Sequence, residues 1–264
     1  MEKFAKNKLV LETHLEELTH ILVQSEFIPK VKASLPAFIN WDIMDAEQKK
    51  IANSIFNKYL NTDRTLYNSL FISAVASFES FLTQTIESTI QILNENFKRF
   101  DSYNDVFLNR QIEFSGKMLS SVYSPPHHMN IDFYKLCKNI GTISPGSTTL
   151  TLNTEIAGYF RNILELDTFS KFFDDLGIKI NLEEISKVQN VQAVFETSGV
   201  KETLKRLDDF LKETIRFRNR IAHTGQSSSD ITKETIDNLI KKIICIADAI
   251  NSILTKGLNN LIKK

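Results

Sequence analysis

The chain has 264 residues, of which 42% are hydrophobic and 24% charged, and 32 basic residues balance 32 acidic ones to a formal net charge of zero. This composition is ordinary for a folded globular protein and argues against a bulk polyanion binder, so any contact with nucleic acid must come from a local patch. With only eight glycines and five prolines, the composition favours long helices with few tight turns.

The first predicted element is a helix over residues 2–24. Its apolar side carries Leu11, Leu15, Leu18 and Leu22. Pro29 and Pro36 interrupt the pattern. Asp45 and Gln48 then have the spacing of a capping box, which predicts the start of a second helix.

A third helix of about thirty residues is predicted near 62–93. One line along it is formed by Phe71, Val75, Phe78, Leu82 and Ile86, and a neighbouring line by Leu70, Ala74, Ser77 and Phe81. A helix that is apolar over so wide an arc is typical of the centre of a bundle.

The helical pattern weakens between residues 94 and 154. Short helices are predicted beyond it, over 155–166, 168–176 and 182–195. Asn181 and Glu184 have the spacing of a cap for the last of these.

Two long helices complete the chain, near 199–223 and 230–256. Ser198 is predicted to open the first, and the run 227–230 to open the second. No segment alternates with a two-residue period and no internal repeat is present, so the sequence predicts an all-α fold in a single domain over residues 1–264.

The helix at 199–223 carries an arginine on its apolar side. Arg218 has the same angular position as Leu204 and Leu211, and Leu207, Ile215 and Ala222 complete the apolar stripe. A guanidinium in that position requires a carboxylate, the polar groups of a second subunit or an anionic ligand. Glu79, the only carboxylate in the apolar centre of the third helix, is the predicted neighbour.

A basic strip runs beside this stripe. Lys212, Arg216 and Arg220 recur every four residues and lead to His223 in the last turn before Gly225. Asn219 lies about 40° from His223 on the helical wheel. Cationic side chains can stabilise the negative charge of a phosphate, and an imidazole can both donate and accept protons. This combination is typical of sites that carry out chemistry on phosphates. Asp209 and Glu213 dilute the strip, so its predicted role is a secondary RNA contact.

The residues Arg218, Asn219 and His223, with a small residue and glycine after them, resemble the signature of the HEPN superfamily of helical domains. The helix around residues 70–82 is similar to the first long helix of such domains. The resemblance implies a HEPN-type helical bundle with a core at about 45–95 and 198–257. Residues 96–197 would be an insertion of short helices and loops.

Many members of that superfamily are metal-independent endoribonucleases. The resemblance therefore implies RNA cleavage in which His223 moves protons, Arg218 neutralises charge on the phosphate, and Asn219 orients the histidine or binds a phosphate oxygen. Arg218 and His223 diverge by about 140° on an ideal helix. Either the last turn distorts, or two copies of the site face each other in a homodimer, which the resemblance also implies. A toxin–antitoxin or antiphage setting, with an inhibitor or antitoxin protein as partner, rests on the resemblance alone.

A different class of function stays open, namely a non-catalytic helical partner that binds RNA or protein as an antitoxin or scaffold. The sequence predicts no cofactor and no metal site, because Cys137 and Cys245 are isolated and fit no zinc or redox spacing. Two free thiols, apolar runs of only about five residues and no signal-like start predict a cytoplasmic protein outside the membrane.

Overall fold

All regular secondary structure in the described part of the chain is helical. The computed structural model describes residues 2–25, 44–51, 62–120, 132–160, 163–224 and 231–263. Its α-helices are α1 Glu2–Ser25, α2 Thr62–Asn96, α3 Asp105–Ser120, α4 Phe133–Thr142, α5 Asp167–Asp174, α6 Leu182–Ser186, α7 Gln189–Val194, α8 Val200–Thr224 and α9 Lys233–Ile262. Short 3₁₀ helices span Phe100–Ser102, Thr154–Tyr159 and Ile163–Glu165. No strand occurs among these residues, and the prediction of an all-α fold is confirmed.

Helix α2 lies at the centre of the packing, as its sequence predicts. It contacts α1, α8, α9 and the 3₁₀ helix at Thr154–Tyr159. The apolar residues of both predicted lines are buried, and Ser77 alone among them is half-buried. Burial continues through Thr85 and Thr89, whose hydroxyls donate to the carbonyls of Phe81 and Thr85 within the helix. These bonds satisfy polar groups that would otherwise be costly to bury.

The N-terminal helix belongs to the same packing. Leu11, Leu15 and Leu22 are buried in α1, which packs along both α2 and α9. Lys8 forms an ion pair with Asp248 of α9 at 2.5 Å. The predicted core at 45–95 and 198–257 does not include this helix, whereas the buried apolar residues of α1, α2, α8 and α9 form one cluster.

The second predicted helix is visible only at its start. Residues 46–51 are helical, and the backbone N–H of Gln48 donates to Asp45 at 2.8 Å while that of Asp45 donates to Gln48 at 3.2 Å. This confirms the capping box. Pro29, Pro36 and the rest of the predicted helix lie outside the described residues.

Two helices, α3 and α4, occupy the stretch where the sequence pattern is weakest. The buried face of α3 includes Gln111 and Ser115, and that of α4 includes Asn139. Asn153 connects them, accepting a hydrogen bond from Asn139 and donating one to Ser115, each at 2.9 Å. Because buried positions carry polar residues here, the apolar periodicity that identifies a helix is interrupted.

Other boundaries also differ from the prediction. The region 155–166 forms two 3₁₀ segments instead of a helix, and 182–195 is divided into α6 and α7. Asn181 caps α6 as predicted, accepting from the backbone N–H of Glu184 at 2.9 Å. Helix α8 begins at Val200, and α9 begins at Lys233 with Thr232 as its cap. The end of α9 at Ile262 extends beyond the predicted 256.

No helix in the described ranges is long and apolar enough to cross a membrane.

Gly257 lies within helix α9 at a position that packs closely against Ile178. A Cβ atom at Gly257 would lie 2.6 Å from Cγ2 of Ile178. Ile178 is buried, and its β-branched side chain has little rotamer freedom to move away.

Gly257→Ala should therefore lower the free energy of unfolding by about 1 kcal/mol, because overpacking outweighs the gain of about 1 kcal/mol in helix propensity. Urea denaturation measures this change. In an Ile178→Ala background the same substitution should become stabilising. A gain of stability from Gly257→Ala with Ile178 intact would contradict the close packing.

Candidate functional site

Helix α8 carries its buried face along one line that ends beside Arg218. Leu207, Leu211, Thr214 and Ile221 are buried, and Arg218 lies on the same line at a spacing of three and four residues. Leu204 and Ile215 are half-buried. The predicted stripe is wrong at its end, because Ala222 is exposed. The buried face is centred nearer Thr214 than the sequence stripe suggests.

Arg218 is held by a carboxylate from the central helix. Its Nη2 donates to Oε1 of Glu79, and the two side chains are 33% and 30% exposed. The predicted proximity of the two residues is confirmed. At this level of burial the pair is less screened than a surface ion pair, yet one side of the guanidinium still reaches solvent.

The remaining N–H groups of Arg218 are only partly used. Nη1 donates to Oδ1 of Asn219 at 3.2 Å. The buried Nε has no hydrogen-bond partner within the described structure. The guanidinium is thus fixed in position by two oxygens, and because Nε is buried, any anion must be bound by the second N–H groups of Nη1 and Nη2. Asn219 contacts the arginine, a contact that was not part of its predicted role.

His223 is exposed in the last turn of α8, which remains α-helical to Thr224. The described part of the helix is therefore regular through its last turn. On a regular helix Arg218 and His223 project about 140° apart, with Asn219 between them at about 40° from the histidine. One copy of α8 directs the arginine toward the core and the imidazole toward solvent.

The residues of the basic strip differ in their surroundings. Lys212 pairs with Asp208 at 2.5 Å, and this hydrogen bond raises the pKa of the lysine. Both residues line a cavity of about 360 Å³, and Glu165 and Asp167 line it as well. Arg216 lies over the ring of Phe217 at 5.3 Å, with Glu213 at 3.5 Å. The acidic surroundings of Lys212 disfavour phosphate contact at that residue, and Arg216 and Arg220 are both exposed.

The opposite flank of α8 contains a feature that the sequence reading missed. Lys242 of α9 lies over the rings of Phe195 and Phe210 at 5.0 and 5.1 Å, beside two cavities. The local signal in the sequence is slight: a lysine beside the apolar stripe of the last helix, between Leu239 and Ile243. Phe195 is 47 residues away in sequence, so only folding brings it there.

No group of three or more histidine, cysteine, aspartate or glutamate side chains in the described ranges has an arrangement that could hold a metal ion.

No protein-family model matches the chain, and no curated protein or solved structure matches it.

The Arg218–Glu79 pair should contribute measurably to stability. We expect a double-mutant cycle with Glu79→Gln and Arg218→Gln to give a coupling of about 1 kcal/mol, since each single change leaves a partly buried charge without its partner. Thermal or urea unfolding provides the four values. The exposed Lys212–Asp208 pair is the matched control and should show a much smaller coupling. Additive single changes at Glu79 and Arg218 would contradict the energetic role of the pair.

Proposed function

We propose that this protein is a metal-independent endoribonuclease of the HEPN type, acting in a toxin–antitoxin or antiphage setting. The observation that carries the proposal is a carboxylate-held, partly exposed guanidinium on the same helix end as an exposed imidazole. An arginine positioned in this way can bind a phosphate without first ordering its own side chain. The spacing of Arg218, Asn219 and His223, which resembles the HEPN signature, further supports the proposal.

The proposed reaction uses the RNA as its own nucleophile. The ribose 2′-oxygen forms a bond to the adjacent phosphorus, and the bond from phosphorus to the 5′-oxygen breaks. His223 takes part in moving the proton away from the 2′-hydroxyl or onto the leaving 5′-oxygen. The products are a 2′,3′-cyclic phosphate and a 5′-hydroxyl. Arg218 stabilises the negative charge on the phosphate oxygens, and Asn219 uses its amide N–H groups to support the same oxygens.

The angular separation of Arg218 and His223 supports a homodimer as the active species. Since α8 is α-helical to Thr224, the alternative of a distorted last turn has no support in the described residues. Two helix ends facing each other across a twofold axis would bring the arginine of one copy near the histidine of the other. Arg216 and Arg220 of both copies would then border one groove.

Purified protein should cleave single-stranded RNA in EDTA and yield 2′,3′-cyclic phosphate ends. His223→Ala should lower the rate about 10²–10⁴-fold because proton transfer is lost. Arg218→Ala should lower it about 10²–10³-fold because charge stabilisation is lost. Rates are measured by gel on a labelled oligoribonucleotide.

Matched controls come from the same chain. His14→Ala changes an exposed histidine on α1, and Arg99→Ala changes an exposed arginine that pairs with Asp101 at 3.8 Å. Both variants should retain activity. A substrate with a single 2′-deoxyribose at the cleaved position should resist cleavage. Equal activity of His223→Ala and wild type would exclude the mechanism, and binding without any cleavage would favour a non-catalytic RNA-binding role.

A mixed dimer tests whether the site is shared. We expect a heterodimer of Arg218→Ala and His223→Ala protomers to recover part of the activity that each homodimer lacks, because one intact arginine–histidine pair forms across the interface. Differently tagged protomers purified through both tags provide the sample. No recovery in a verified heterodimer would place the arginine and histidine of each site on the same chain.

A further inference from the structure

Two neighbouring cavities lie on the flank of α8 that faces the first turns of α9. Their volumes are about 330 and 230 Å³. Both are bordered by Phe210, Glu213, Asn238 and Lys242, so they form one region with two lobes. Together they approach the size of pockets that hold small organic ligands.

Four phenylalanines are among the residues that line this two-lobed cavity, beside charged and polar side chains. Phe195 and Phe210 meet edge to face in the larger lobe, with centroids 5.6 Å apart. Phe71 and Phe217 meet in the same manner at the smaller lobe, at 6.1 Å. Flat apolar walls of this kind favour a planar ring over an extended aliphatic chain.

The ammonium group of Lys242 is half-buried between the two lobes. Its described contacts are the rings of Phe195 and Phe210, and it forms no ion pair or hydrogen bond with a described residue. Burial lowers the pKa of Lys242, while Glu196 and Glu213 act in the opposite direction. A charged group with all three N–H donors free of described partners favours a ligand that presents an acceptor oxygen.

Glu213 supplies the complementary acceptor. It borders both lobes and acts on Lys242 through space without forming an ion pair with it. Its other partner is Arg216 at 3.5 Å, a contact at the exposed surface. The ammonium and carboxylate balance each other, and the larger lobe adds Glu196 and Asp209 against Arg206, so carboxylates outnumber cations in its lining. This excess of negative charge disfavours a phosphate inside the cavity, and a neutral base is the better fit.

We propose that the two-lobed cavity binds a guanine base. Guanine carries two N–H groups side by side, N1–H and N2–H₂, that can donate to one carboxylate, and its O6 accepts from an ammonium. Adenine presents an acceptor nitrogen where the carboxylate needs a donor. Uracil offers a single N–H, and cytosine offers a single amino group. Glu213 would bind the donor edge of guanine, Lys242 would bind O6, and the phenylalanine rings would contact its faces.

The position of the cavity connects it to the proposed ribonuclease site. Phe217 and His223 are separated by about 9 Å along the axis of α8, and Arg220 lies between them on the helical wheel. An RNA strand with a guanine in the cavity would pass Arg220 on its way to His223. This part of the inference rests on the proposed function, whereas binding of a free guanine nucleotide does not.

The test compares the binding of GMP, AMP, CMP and UMP by isothermal titration calorimetry. The four nucleotides carry the same phosphate, so a difference in affinity reports the base. GMP should bind at least tenfold more tightly than AMP. Inosine monophosphate, which lacks the N2 amino group, should bind with intermediate affinity.

Variants assign the contacts. Glu213→Gln and Lys242→Met, which keep the side-chain shape, should each weaken GMP binding at least fivefold. Lys205→Met, an exposed position of α8 outside the cavity lining, should leave it unchanged. Circular dichroism and thermal melting show that each variant is folded. Equal affinity for GMP and AMP, or unchanged GMP affinity in both cavity variants, would overturn the proposal.

A further titration with RNA shows whether the bound base belongs to an RNA strand or to a free nucleotide. It also lets the two proposals succeed or fail independently. His223→Ala protein is titrated with oligouridylates that contain one guanine or one adenine. A guanine preference in RNA indicates a substrate subsite, and a preference confined to GMP indicates a free nucleotide ligand. If RNA is not cleaved while GMP selectivity holds, the ribonuclease proposal fails and the guanine site stands. If RNA is cleaved without any guanine preference in either arm, the guanine site fails alone.

Discussion

The burial of α2 is the constraint on which the rest of the structure depends. This helix is 35 residues long and buries apolar side chains on several sides, so it is stable only when other elements cover it. Helices α1, α8 and α9 and the 3₁₀ helix at Thr154–Tyr159 each cover part of it. Each of these elements packs part of its buried surface against α2, and the rest against other helices. The arrangement follows from removing one apolar surface from water.

The same constraint explains the position of the candidate site. Glu79 is a carboxylate within an otherwise apolar stretch of α2, and its burial is tolerable because Arg218 pairs with it. The pair in turn fixes the rotation of α8 at its end and holds the guanidinium in one place. His223 lies five residues further on, beyond the contact with α2, and is exposed. Burial thus positions the arginine, and the end of the helix leaves the histidine accessible.

Helix α8 also separates charge along its length. Asp208, Asp209 and Glu213 give its middle an acidic character, and Arg216, Arg218 and Arg220 give its end a basic one. Its two flanks differ as well. One borders the cavity that contains Glu165 and Asp167, and the other borders the two-lobed cavity that contains Lys242. A locally positive helix end on a neutral chain concentrates any attraction for phosphate at the end that carries His223.

The all-helical class, the long helices, the central place of α2 and the proximity of Glu79 to Arg218 could all be predicted from the sequence, because these follow from apolar periodicity and from the cost of an unpaired buried charge. The sequence did not determine α3 and α4, whose buried faces carry Gln111, Ser115 and Asn139 and so break that periodicity. The contact of Asn219 with Arg218 and the contact of Lys242 with Phe195 and Phe210 could not be predicted from the sequence and are seen only in the folded chain. Periodicity along a helix indicates only which face of that helix is buried. Contacts between residues distant in sequence depend on how those faces pack against each other.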